Sequence, residues 1–166
     1  MPKELVDFVA VVYSQNVYIF GGRTDDDDQD SILRFDPRQI EWTTLTAMTT
    51  LRFNCGACCV SGEVYVIGGQ RMLPGDVGLG ESISRLSLRN VDIYNIERDQ
   101  WRPGPRLPDP LYNFGAMVID GMLYVCGTLD NRRLAYRCNV VYRLDIAALC
   151  DRVSNQIYAR YEISPV

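Results

Sequence analysis

The sequence predicts an all-β chain, built as three successive four-stranded antiparallel sheets. Three observations point there. The apolar residues fall in short runs rich in Val, Ile, Tyr and Phe, separated by turn residues. Those runs come in groups of four. The groups also repeat the same marks in the same order: Tyr18 then Tyr65, Gly21-Gly22 then Gly68-Gly69, Phe35 then Tyr94, Trp42 then Trp101. The spacing is 47 residues between the tyrosines and 59 between the tryptophans.

In the first group, residues 6 to 13 (VDFVAVVY) form an apolar run, Gln15-Asn16 a turn, and Val17 to Phe20 a second run ending in the paired glycines. An acidic loop, Arg23 to Asp30, follows. Ser31 to Phe35 is the third strand, Asp36-Pro37 opens a turn, and Trp42 to Met48 is the fourth. The central stretch from Arg52 to Leu107 repeats this order, with twelve more residues between the glycines and the later aromatic. VYIF and VYVI are apolar at every position instead of alternating, the pattern of strands covered on both faces. A third copy starts at Leu111, with Gly115, Asp120-Gly121, Tyr124 and Gly127 standing for Gly56, Ser61-Gly62, Tyr65 and Gly68, and Tyr142 for Tyr94. There the doublet has become Gly127-Thr128 and Leu149 stands in the tryptophan's place. Asp145 is suited to cap a helical turn over Ile146 to Arg152. The alternation of Ile157, Ala159, Tyr161 and Ile163 predicts a substitute outer strand.

A period of this length with four strands per unit belongs to a β-propeller. The glycine doublets, the later Tyr or Phe, and a Trp seven residues beyond it resemble kelch repeats over about residues 5 to 145. The expected fold is a partial kelch β-propeller of about three blades: 5–48, 52–107 and 111–163. The resemblance implies that the strand before the glycines lies second from the axis and the Trp strand outermost. Three blades would leave the outer faces of the first and third bare, so the chain is expected to be an incomplete array or half of an assembly.

Composition narrows the function. The chain has 166 residues, 47% of them hydrophobic, and a net charge of −4 with a pI near 4.8. That balance argues against nucleic-acid or anionic-membrane surfaces. Of 17 cationic residues only Lys3 is a lysine. There is no histidine, which removes Ser-His-Asp, Cys-His and His-ligated metal sites. No catalytic, cofactor or metal residue is expected, and Asp36 and Glu41 read as turn residues. Cys55, Cys58 and Cys59 resemble a CxxC half-site, but positions i and i+3 of a strand point to opposite faces. They are expected to be buried small hydrophobes. Asp25 to Asp28 with Asp30 lack the calcium-loop spacing and read as a solvated loop. With no apolar stretch long enough to span a bilayer and no secretory pattern at Met1-Pro-Lys-Glu-Leu, the expected location is cytoplasmic with reduced thiols.

The resemblance also implies where ligands meet the chain, on the face carrying the fourth-to-first and second-to-third strand connections. The residues expected there are Arg23, Arg52, Asn54, Gln70, Tyr112, Asn113, Arg132 and Arg133, with Arg137 adding charge. Such an arginine set suits an acidic or phosphorylated peptide. The expected function is a non-enzymatic protein-interaction module. It resembles the substrate-recognition part of a cullin-3 ubiquitin-ligase adaptor, whose BTB and BACK regions lie upstream in that family. An actin or cytoskeletal binding module and a truncated product without independent activity are the alternatives.

Overall fold

The computed structural model describes residues 1–24, 30–73, 85–129, 139–146 and 158–163. Among them are three four-stranded antiparallel sheets and one small hairpin. The first sheet runs β1 (Val9–Tyr13), β2 (Asn16–Phe20), β3 (Leu33–Asp36), β4 (Glu41–Thr44) in simple order. The second contains β5 (Gly56–Val60), β6 (Glu63–Ile67), β9 (Val91–Asn95) and β10 (Gln100–Pro103). Between β6 and β9, the extra residues of this blade carry a hairpin of β7 (Gln70–Met72) and β8 (Arg85–Ser87), which was expected only as a loop. The third sheet is β11 (Leu111–Ile119), β12 (Met122–Leu129), β13 (Asn139–Asp145) and β14 (Tyr158–Ile163). The innermost strands β1, β5 and β11 pack against one another in that sequence, so the sheets stack as blades.

Each blade has one face toward the next blade and one toward the previous one, here called forward and backward. The forward face of blade one (Val11, Tyr18, Phe20, Ile32) meets the backward face of blade two (Cys55, Val64, Val66, Tyr94) in one core. Cys58, Tyr65, Ile67, Val91 and Ile93, on the forward face of blade two, meet Leu123, Val125, Val140, Tyr142 and Leu144 of blade three in another. This explains VYVI: Val64 and Val66 enter one core, Tyr65 and Ile67 the other, and all four are fully buried. Burying each such side chain contributes about 1.5–3 kcal/mol. Trp101 packs at the first interface, edge-on to Phe20 with ring centroids 6.1 Å apart.

Several expectations change in detail. The first hairpin turns at Ser14-Gln15, both at positive φ, and Asn16 already belongs to β2. Ser61-Gly62 and Asp120-Gly121 make the same positive-φ pairs, the geometry that suits the twist of a two-residue hairpin. β4 ends at Thr44 instead of reaching Met48. Gly127 opens no turn, because β12 continues through it to Leu129. The match of Tyr142 to Tyr94 fails in register. Tyr94 pairs with Val64, whose counterpart Leu123 pairs with Leu144; Tyr142 pairs with Val125 and so occupies the place of Asp92. The expected helical turn beyond Ile146, Leu149, Ile157 and the loop Asp25 to Asp28 lie outside the described residues.

Candidate ligand face

The connections that build this face are pinned to the blade entries. Val6 and Arg23 exchange both backbone hydrogen bonds at 3.0 Å, and Phe53 and Gln70 repeat the exchange at 2.9 and 2.8 Å. The residue after each entry, Asp7 and then Asn54, sits at positive φ, and the Asn54 N–H donates to the Asp7 carbonyl at 2.8 Å. The glycine doublets make this junction close. A Cβ on Gly21 would strike the Arg52 carbonyl oxygen of the next blade. One on Gly69 would stand 2.8 Å from the Phe53 carbonyl oxygen and 2.9 Å from the Cys55 Cβ. What approaches Gly21 is thus the backbone of the next blade.

Arg52 is corrected as a ligand residue. Its side chain is 1% exposed, with its guanidinium turned into the blade. There Nη1 donates to the carbonyls of Gly68 (3.1 Å) and Asn90 (3.2 Å), while Nη2 is ion-paired to Asp92. Burial lowers the Arg52 pKa, and the Asp92 carboxylate opposes that shift. The other blades fill the two corresponding positions with apolar pairs that share a core: Leu5 with Leu33, and Leu111 with Tyr142. The arginine therefore closes blade two from within.

What the face presents instead is an arginine pair on one ring. Arg23 lies over the fully buried Phe53 at 5.7 Å to the ring centroid, and Arg85 of β8 lies over it at 5.5 Å. The Arg23 Nε also donates to Asp7 at 2.8 Å, which fixes its orientation. Gln70 reaches Ser87 across the β7–β8 hairpin at 3.4 Å, and Arg71 and Asn54 are exposed beside it. Of the expected residues, then, Arg23, Asn54 and Gln70 gather here. Tyr112 and Asn113 fall in β11, where the register to β12 shifts before Gly115; Arg132, Arg133 and Arg137 lie outside the described residues. Phe53, Arg85 and Asp92 were missed. For Asp92 a signal existed, since a lone carboxylate in the buried run VDIYNI demands a buried partner.

Other chemistry is limited. Cys55 and Cys58 enter different cores, as their spacing requires, and burial pushes their thiols up to about 11 and about 12. Both are therefore protonated and unreactive near neutral pH. Among the described residues no three His, Cys, Asp or Glu side chains converge on a metal position. No helix among them is long and apolar enough to cross a membrane.

Comparison with known proteins agrees with this architecture. A family model described as "Kelch motif" matches residues 5–49 and 51–108. The zebrafish Kelch repeat and BTB domain-containing protein 12 is 37% identical over 141 residues, covering 76% of this chain and 22% of that protein. The human protein of the same name is 33% identical over the same length and shares. The zebrafish Kelch-like ECH-associated protein 1B is 30% identical over 93 residues, covering 56% of this chain and 14% of its own. The chain thus spans about a fifth of the curated relatives it matches best among these. The solved structure of YjhT superposes with a TM-score of 0.62 at 21% identity, over 78% of this chain and 36% of that one, a likeness of fold.

Proposed function

Since this chain belongs to the kelch-motif family, we propose that it is a non-enzymatic recognition module whose loop face binds an acidic or phosphorylated peptide segment of a partner protein. The observation that carries this is the pair Arg23 and Arg85 held over Phe53. Two guanidinium planes fixed on one buried ring are pre-oriented for bidentate contact with carboxylate or phosphate. Gln70, on the same face of the β7–β8 hairpin as Arg85, and the exposed Asn54 add further hydrogen-bonding groups. In the cell the module acts as the substrate-reading part of a cullin-3 ligase adaptor, with cullin recruitment left to BTB and BACK regions. The free thiols of Cys55, Cys58, Cys59 and Cys126 suit the reducing cytoplasm.

The test is capture on an array of glutamate-rich and phosphoserine peptides. Arg23→Ala and Arg85→Ala should each weaken a selected peptide about tenfold, the scale of one lost charge-assisted hydrogen bond. Raising the salt should weaken it further. Binding that ignores both substitutions, or that prefers basic or uncharged peptides, contradicts the proposal.

A further inference from the structure

Asp7 grips the guanidinium of Arg23 at a place where the fold itself does not need a charge. Counting along the repeat, Asp7 corresponds to Asn54, just after the blade entry, and Arg23 to Gln70, just after the glycine doublet. Both junctions close in the same way. Val6 with Arg23, and Phe53 with Gln70, exchange both backbone hydrogen bonds, and Asp7 and Asn54 both take a positive φ, 59° and 51°. Blade two builds this junction from a neutral pair. Blade one places an ion pair there instead, with the Arg23 Nε donating to the Asp7 Oδ2 at 2.8 Å. The two side chains are 24% and 31% exposed, and an ion pair this accessible adds little to stability.

What the carboxylate does is local to the guanidinium. An arginine side chain is long and rotamer-rich, and ordering it when a ligand binds costs affinity. Here the backbone of Arg23 is held by Val6, its Nε by Asp7, and its guanidinium lies over the Phe53 ring of blade two, 5.7 Å from the centroid. Asp7 is fixed in turn, because its carbonyl accepts the Asn54 N–H at 2.8 Å. Among the described residues Asp7 is the one hydrogen-bonding partner of that guanidinium, and it takes only the Nε–H. The N–H donors of the two Nη groups are left as a planar fork, the arrangement that takes two oxygens of one carboxylate or phosphate.

We propose that Asp7 is the positioning residue of the anion-binding face: it holds Arg23 over Phe53 before the ligand arrives, so that the ligand meets an ordered guanidinium end-on. The inference rests on the peptide reading given above, and it assigns to that site a residue carrying the ligand's own charge. The two roles of such a residue have opposite signs. Electrostatics alone predicts that removing an anion from beside the site strengthens the binding of an acidic peptide. Positioning predicts that it weakens.

Calorimetric titration of the full chain with a glutamate-rich and a phosphoserine peptide tests it, on wild type, Asp7→Gly and Asp7→Asn. Glycine suits a φ of 59°, and asparagine already holds the matching place in blade two, so both variants should keep the fold and melt close to wild type. Asp7→Gly should bind about fivefold more weakly, the scale of ordering one long side chain on binding. Asp7→Asn keeps an oxygen acceptor for the Nε–H and drops the charge, so it should bind at least as tightly as wild type. In nitrogen-15 spectra of the unliganded chain, the Arg23 Nε–H should resist solvent exchange in wild type and Asp7→Asn and lose that protection in Asp7→Gly. Equal or tighter binding by Asp7→Gly, an Asp7→Asn as weak as Asp7→Gly, or an Nε–H signal indifferent to both substitutions overturns this inference and leaves the peptide reading standing. A wild type that binds neither peptide overturns that reading, and the inference falls with it.

Discussion

Replacing Asp92 by Leu tests the account of blade two most severely. The substitution is apolar and similar in size, yet it leaves the Arg52 guanidinium 1% exposed without its anion. Breaking a buried ion pair from one side costs about 3–5 kcal/mol, which in a chain of this length lowers the melting temperature by roughly 6–20 °C. Arg52→Leu should cost a comparable amount. It strands Asp92 and removes a donor from the Gly68 carbonyl at roughly 1 kcal/mol, whereas the Asn90 carbonyl keeps the Gly68 N–H at 2.8 Å. The double variant should behave differently, because both flanking blades already carry apolar pairs at the same two positions: Leu5 with Leu33, the same Leu/Leu pair, and Leu111 with Tyr142. Its cost should be about 1 kcal/mol, set by the lost partner of the Gly68 carbonyl. The assay is a double-mutant cycle by urea unfolding followed through tryptophan fluorescence. The reasoning is refuted if the double variant loses the sum of the singles, or if Asp92→Leu alone stays within about 0.5 kcal/mol of wild type.

Two further perturbations follow from the junctions. Gly69→Ala places a methyl group against the Phe53 carbonyl and Cys55 while holding an L-residue at φ 91°, so it should destabilise by about 2–4 kcal/mol. A thermal melt within a degree of wild type would contradict that geometry. Asp99 ties blade one to blade two: the Tyr94 hydroxyl donates to it at 2.5 Å and the Thr46 N–H at 3.2 Å. The Tyr94 hydroxyl is the main cause holding its carboxyl below the ordinary 3.8. A depressed carboxyl adds stability that is complete above its unfolded pKa and is lost as the pH falls through the folded one. Wild type and Asp99→Asn should therefore differ in stability at pH 6 and converge below pH 3.8, read from urea midpoints across that range. A gap that widens on acidification would reverse the assigned sign.

Much of the fold was legible because its constraints are local. The unbroken apolar runs VYIF and VYVI declared strands covered on both sides, and Gly21-Gly22 and Gly68-Gly69 marked backbone at positive φ. Matching by residue type failed where only register decides. Tyr142 looks like Tyr94, yet counting the pairing from Val125 puts it in the place of Asp92. The β7–β8 hairpin was hidden because QRM and RLS are too short and polar to stand out without their partner. The site was half legible. Arg23, Asn54 and Gln70 follow from their places beside the doublets and entries. Arg52 was misassigned because the chain before a first strand does not reveal which way a long side chain turns; its direction is set by Asp92, forty residues away. Arg85 became visible only when the hairpin folded it back over Phe53.

The most direct test of the central claim, that recognition happens on the face built by the Arg23, Phe53 and Arg85 cluster, is hydrogen exchange with a selected acidic or phosphoserine peptide bound. Antiparallel order puts the second-to-third and fourth-to-first connections at one end of the blades and the Ser14-Gln15, Ser61-Gly62 and Asp120-Gly121 turns at the other. Exchange should slow in Arg52 to Asn54 and in both strands of the β7–β8 hairpin, with the opposite turns unchanged. Protection confined to those opposite turns would contradict it.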